Sequence, residues 1–185
     1  MAEYYLMSQL PSLDAVGENT LIPITEERFL ELCYRFLGKK DCDDLKRLTL
    51  LPPKHPEKLG SPLLEGWSKG ERNLRLALGK IRAEKMKKPF DMENNTISAE
   101  LIKVAKTAVE LESPMEAEKF LNSYRLEFLE CLRPADNFSK EMVFYYGLKL
   151  KLLLRIRQFD EASGETAYKN IYNSIMNDDK TEATQ

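Results

Sequence analysis

One histidine and three cysteines are all that this 185-residue chain provides of the side chains that most often carry metal or redox chemistry. Cys33, Cys42 and Cys131 stand far apart, and no Cys-x-x-Cys pair exists, which excludes a zinc knuckle or a thioredoxin-like site. Free cysteine packs as a small hydrophobe, so each is expected to be buried. The histidine, His55, sits among prolines in PPKHPEK and is read as a solvated loop residue; as a general base it would need an orienting partner that the sequence does not offer. The eight glycines are scattered, and neither GxGxxG nor GxxxxGK[ST] occurs, so no phosphate cradle can be assembled. GxSxG, HExxH and the calcium-loop pattern are missing too. Asp41-Cys42-Asp43-Asp44 is acidic but lacks the following glycine and the distal glutamate of a calcium loop. Its carboxylates suit the positive end of a helix dipole instead. The chain is therefore read as non-enzymatic, with no catalytic, cofactor-binding or metal-binding residue nominated.

Long apolar runs are also lacking. The densest, LKLKLLLRIR, carries four charges and falls well short of the ~18 residues of a membrane span. The opening MAEYYLMSQLPSL has no basic region followed by an apolar run and a cleavage site, so no secretory signal is read there, and a cytoplasmic protein is expected. Nor is there an excess of one charge: 28 basic residues meet 30 acidic ones, for a net charge of -2. That excludes a globally basic nucleic-acid binder while leaving room for a local patch.

What the chain does have is helical periodicity. Thr25 is placed to cap a helix with Phe29, Leu32, Cys33 and Phe36 at i, i+3, i+4 and i+7, and Gly38 to stop it. A short helix follows from Asp41, burying Leu45 and Leu48. LLPPKHPEKLGSP, with four prolines in 13 residues, reads as a loop. A long helix over about 63–88 sets Trp67, Leu74, Leu78 and Ile81 on one face, with Gly66, Gly70 and Gly79 expected to kink or interrupt it and Pro89 to end it. Another starts near Ser98 with Leu101, Ala105, Ala108 and Leu111 along one side. Ser113-Pro114-Met115-Glu116 is a strong helix start, leading into Phe120, Leu121, Tyr124, Phe128 and Leu132 before Pro134. Residues 139–158 read as an amphipathic helix through Val143, Tyr146, Leu150, Leu153 and Leu154. A final helix over about 164–176 is expected to bury Ala167, Ile171 and Ile175. Only YYLM and TLIPI have extended character.

The expected fold is all-α, a bundle of six to seven antiparallel-type helices. Its organisation is read as an N-terminal helical segment over 1–60 packing on the rest, a main helical domain over 61–176 and a disordered tail over 177–185.

Charge is unevenly spread. Residues 69–88 hold eight basic residues against two acids, a net of +6, whereas 89–120 hold three against seven, a net of -4. On a helix Arg75 and Arg82 flank one side of the apolar stripe, and Lys69, Lys80 and Lys87 lie nearer the other. Three readings are open: a solvated face paired with acids of the same fold, a docking face for an acidic protein, and a nucleic-acid contact. The third is disfavoured because no aromatics interleave with these charges. Phe144, Tyr145 and Tyr146 are consecutive, so on a helix they cannot share one core; either they have core on both sides or Tyr145 belongs to a partner-contact surface.

Three stretches carry a family resemblance. GERNLRLALGKIRAEKM (70–86) resembles a helix of the C subunit of V-type and archaeal-type ATPases, called the d subunit in eukaryotes. SPMEAEKFLNSYRLEFLECL (113–132) and YYGLKLKLLLRIRQFDEASGETAYKNIY (145–172) are similar to a bacterial domain-of-unknown-function family encoded among V-type ATPase subunits, a divergent relative of that C subunit. The opening EYYLMSQLPSL (3–13) resembles that family's start as well. The resemblance implies a helical repeat like that of the C subunit, for which this shorter chain has room for fewer units. It further implies a non-catalytic accessory or central-stalk component of a V/A-type rotary ATPase involved in ion transport. Such a component needs no cofactor, contacts the central stalk and membrane rotor, and stays at the inner face of the membrane through the ATPase. The interaction candidates are Arg72, Arg75 and Arg82 on the basic helix, joined by Lys80 and Tyr145. The alternative is a free-standing helical adaptor or nucleic-acid-binding module using the same basic helix, and an unrecognised hydrolase is a third class.

Overall fold

The computed structural model describes residues 2–14, 16, 20–53, 58–90, 97–158, 166 and 169–172. His55, the tail over 177–185, and Ala167 and Ile175 of the expected last helix lie outside them. Among the described residues the structure is helical throughout and contains no strand: α1 (Ala2–Gln9), α2 (Glu26–Phe36), α3 (Lys39–Lys46), α4 (Pro62–Lys85), α5 (Ala99–Glu110), α6 (Pro114–Cys131) and α7 (Lys140–Gln158). Residues 166 and 169–172 are helical as well, but Ile171 is 61% exposed rather than buried. YYLM, read as extended, is part of α1, because Leu6 is fully buried on its inner side while Tyr4 and Tyr5 face outward.

Local chemistry sets the helix starts. The hydroxyls of Thr25, Ser61, Ser98 and Ser113 each accept a backbone N–H of the first turn, and Pro follows Ser61 and Ser113 where its missing N–H costs nothing. Pro62 thus begins a helix rather than belonging to the preceding loop. Gly38 precedes α3, whose first residue is Lys39 rather than Asp41; α2 is closed by Leu37 in extended conformation. At the far end of α4, Lys87 adopts φ +53°, and the N–H groups of Lys87 and Lys88 bond back to Glu84 and Ala83. That is a left-handed helix stop formed two residues before Pro89.

Two apolar cores result. The larger surrounds α7 and takes Leu6 from α1, Phe29, Leu32 and Cys33 from α2, Leu45 from α3, Leu63, Leu64 and Trp67 from α4, and Leu129 from α6. Residues 142–150 of α7 are buried without interruption, so α7 is a central helix covered on all sides rather than an amphipathic one. Gly147 is needed there, since a Cβ would sit 3.0 Å from Phe29 and 3.1 Å from Leu48. The smaller core joins Leu74, Ala77, Leu78 and Ile81 of α4 to Ala105 and Ala108 of α5 and Leu121 of α6.

α4 and α6 run antiparallel through both cores. Gly66 faces Leu132, Gly70 faces Phe128, and Leu74 shares the smaller core with Leu121. The glycines do not interrupt α4, which stays continuous for 24 residues, about 36 Å. A Cβ at Gly70 would fall 2.3 Å from the Phe128 ring, so this glycine serves close approach between the helices. Cys33 and Cys42 are buried as expected, whereas Cys131, the last residue of α6, is exposed: Leu129 takes the inward position of that turn.

Candidate interaction surface

The basic stripe of α4 divides into cations consumed by the fold and cations left outside it. Arg72 donates from Nη2 to the carbonyl of Pro53 at 2.8 Å, fastening the proline-rich connection onto α4. Arg75 donates to Glu71 at 2.9 Å. Glu71 is only 3% exposed and also receives a two-pronged bond from the buried Arg125, at 3.0 and 3.2 Å. Arg125 continues to Asn122 at 3.0 Å and Glu118 at 3.4 Å, and Glu118 accepts from Arg155 of α7 at 2.7 Å. This network lies where the two cores meet and ties α4, α6 and α7 together. Neither Glu71 nor Arg125 is marked by the sequence; they are 54 residues apart, and no local spacing announces their pairing.

The side chains of Lys80 and Arg82 make no hydrogen bond or ion pair among the described residues, and the same holds for the side chains of Lys87 and Lys88. Lys85 donates to the Val109 carbonyl at 3.2 Å and keeps its charge unmatched by any acid among the described residues. Beside these cations in the chain are Met86, 60% exposed, and Phe90, 38% exposed, whose ring folds back onto Gly79. The end of α4 thus sets exposed cations beside two exposed apolar side chains.

Tyr145 is inside the fold, 4% exposed, and Phe144 and Tyr146 are buried too. The three rings point to different sides of a helix that has core all around it. The Tyr145 hydroxyl donates to Glu130, and Lys149 bonds both Glu130 and Asp14 at 2.7 Å. Burial first, then the Glu130 bond, pushes the Tyr145 hydroxyl up to about 12. For Lys149 burial works against the charge, but the bonds to Asp14 and Glu130 outweigh it and raise its pKa. For Glu130, too, burial opposes the charge and is overcome by the bonds from Lys149 and Tyr145, which lower its pKa. Asp14 is lowered chiefly by its bond from Lys149. Burial likewise holds the Cys33 thiol at about 12, so it stays protonated near neutrality.

Exposed aromatics occur elsewhere. Tyr4 and Tyr5 on α1 and Phe138 ahead of α7 are each about half exposed, with the Tyr4 and Phe138 rings 4.7 Å apart. A hollow of about 250 Å³ lies beside Phe138, lined among others by Met7, Pro11, Arg133 and Lys149. No sequence signal marks this cluster, because its members are separated by over 130 residues and meet only in the fold. Among the described residues no group of three or more His, Cys, Asp and Glu is arranged to hold a metal ion, and no helix is long and apolar enough to cross a membrane.

Compared with known proteins, residues 90–179 match the model of a family described as a protein of unknown function (DUF2764). That span takes in α5, α6 and α7. No curated protein and no solved structure matches the chain.

Proposed function

We propose that this chain is a non-catalytic helical subunit acting through protein–protein contacts, as an accessory or central-stalk component of a V/A-type rotary ATPase. The observation that carries the reading is the placement of two unused surfaces on one continuous body. The cationic rim closes one end of α4, while the exposed Tyr4–Tyr5–Phe138 cluster sits on α1 and just ahead of α7, two helices that pack into the larger core with the other end of α4. A subunit that passes force between neighbours needs such separated faces and a stiff element between them; the α4–α6 pair supplies the latter. The link to the ATPase comes from the resemblance of residues 3–13, 70–86, 113–132 and 145–172 to the rotary ATPase C subunit and its bacterial relatives, and the family match overlaps the last two of these stretches. Association with the inner face of the membrane would follow from the ATPase, not from a span of its own. Of the nominated residues, Arg82 and Lys80 remain available for such contacts, whereas Arg72 and Arg75 have work inside the fold.

The test is a gentle affinity purification of the tagged protein from its native cell, with mass spectrometry of what accompanies it. Near-stoichiometric rotary ATPase subunits are the expected result. Their absence from a preparation that still contains intact ATPase would overturn the assignment and favour a free-standing adaptor.

A further inference from the structure

We infer that the cationic end of α4 is a docking site for an acidic, amphipathic helix of a partner protein; the inference rests on the protein-contact reading above and names the chemistry of the partner. Over residues 80–88 five basic residues meet one acid, Glu84, giving +4 in a chain whose net charge is -2, so the remainder carries -6. None of Lys80, Arg82, Lys85, Lys87 and Lys88 has an ion pair among the described residues, whereas Arg75, Arg125 and Lys149 are each paired with a carboxylate. Lys80, Arg82 and Lys85 span about 7.5 Å of the last turns of α4, and Lys87 and Lys88 follow at its left-handed stop, a patch that two turns of a facing helix can meet with carboxylates at i, i+4 and i+7. The exposed Met86 and Phe90 ask for aliphatic side chains beside those carboxylates.

Lys87 adds a second observation. Its left-handed backbone is one that glycine adopts freely and that a side chain resists, yet a lysine occupies it. The residue that stops the helix is thereby also one that presents a cation at the rim.

The surroundings select a narrow partner over a broad one. Glu110 and Glu112 are not buried, and Glu110 directly follows Val109, whose carbonyl holds Lys85. A bilayer of anionic lipid or a long nucleic acid laid over this end would meet those carboxylates as well as the cations. A single acidic helix seated between Lys80 and Lys88 avoids them.

The test titrates the full chain against three probes: a synthetic amphipathic helix with glutamates on one face and leucines on the other, phosphatidylglycerol vesicles, and a single-stranded DNA oligonucleotide. The peptide is expected to bind best, with affinity that falls as salt rises. The triple variant K80E/R82E/K88E, with unchanged circular dichroism and melting temperature, should weaken peptide binding about tenfold or more. Lys87→Gly should melt about 2 °C higher, consistent with relieved strain, and bind the peptide less tightly. Tighter binding to vesicles or DNA than to the peptide would overturn the inference, as would peptide affinity that the triple variant leaves unchanged. Because this titration requires no ATPase, its failure is separable from a failure to co-purify rotary ATPase subunits.

Discussion

The core around α7 and the core between α4 and α5 are built from different materials. The first is made of large side chains, Phe29, Trp67, Phe144 and a series of leucines, packed around a helix that solvent scarcely reaches. The second mixes Leu74, Leu78, Ile81 and Leu121 with Ala77, Ala105 and Ala108, holds no buried aromatic, and lets α4 and α5 approach closely over small side chains that bury little area each. Polar groups follow the same division. Beside α7 they are consumed internally, Lys149 by Asp14 and Glu130, Lys151 by Glu26, and Tyr146 by the Pro11 carbonyl. At the outer end of α4 the cations stay unmatched. One region spends its chemistry on holding itself together, and the other keeps some in reserve for contact.

The junction between the regions is the first place to break that contrast. Glu71→Ala removes the carboxylate that satisfies Arg125 and leaves a buried guanidinium without its main partner, so a loss of about 3–5 kcal/mol is expected in urea unfolding. The same substitution frees Arg75, which is partly exposed and contributes far less. Were the loss below about 1 kcal/mol, the network would not be what joins the cores.

A smaller effect, but one whose sign is informative, comes from Gly70→Ala. Helix propensity alone predicts a gain of about 1 kcal/mol. The 2.3 Å approach of the new Cβ to the Phe128 ring predicts overpacking worth about 1–3 kcal/mol in the other direction. The clash is the larger quantity, so a lowered melting temperature is expected. A raised one would show the α4–α6 spacing to be adjustable.

The smallest expected effect concerns pH. Asp14 and Glu130 have lowered folded-state pKa values, so the stability they contribute is present above their unfolded values of roughly 4 and is lost as pH falls through the folded ones. Lys149, with a raised pKa, contributes at every pH below its unfolded value of about 10.4 and loses that only in strong alkali. Lys149→Met should therefore flatten the acid side of the stability curve between about pH 5 and 2, measured by urea unfolding across pH. A curve parallel to that of the unmodified chain would remove the Lys149 cluster from the account of acid sensitivity.

The sequence was most legible where structure is set within one turn. Thr25, Ser98 and Ser113 announce helix starts because the hydroxyl and the amide it accepts are three residues apart. What escaped it depends on partners far along the chain. The charges Lys149 and Lys151 made α7 look half solvated, yet their carboxylates come from residues 14, 26 and 130. Gly70 looked like a weak point in α4 because Phe128, which explains it, lies 58 residues later. The basic stretch itself was legible as charge. Which of its members are free was not, since that is decided by Pro53 for Arg72 and by a buried carboxylate shared with Arg125 for Arg75.

The central position of α7 has a consequence for how the chain is made. The inner faces of α1 and α2 are closed by residues 142–153, so these helices leave the ribosome before the one that covers them. At about 5–20 residues per second, the interval between synthesis of Leu6 and of Leu148 is on the order of ten seconds. Through that time Leu6, Phe29 and Leu32 have no α7 to cover them, and a chaperone or a provisional cluster must hold them apart from other nascent chains.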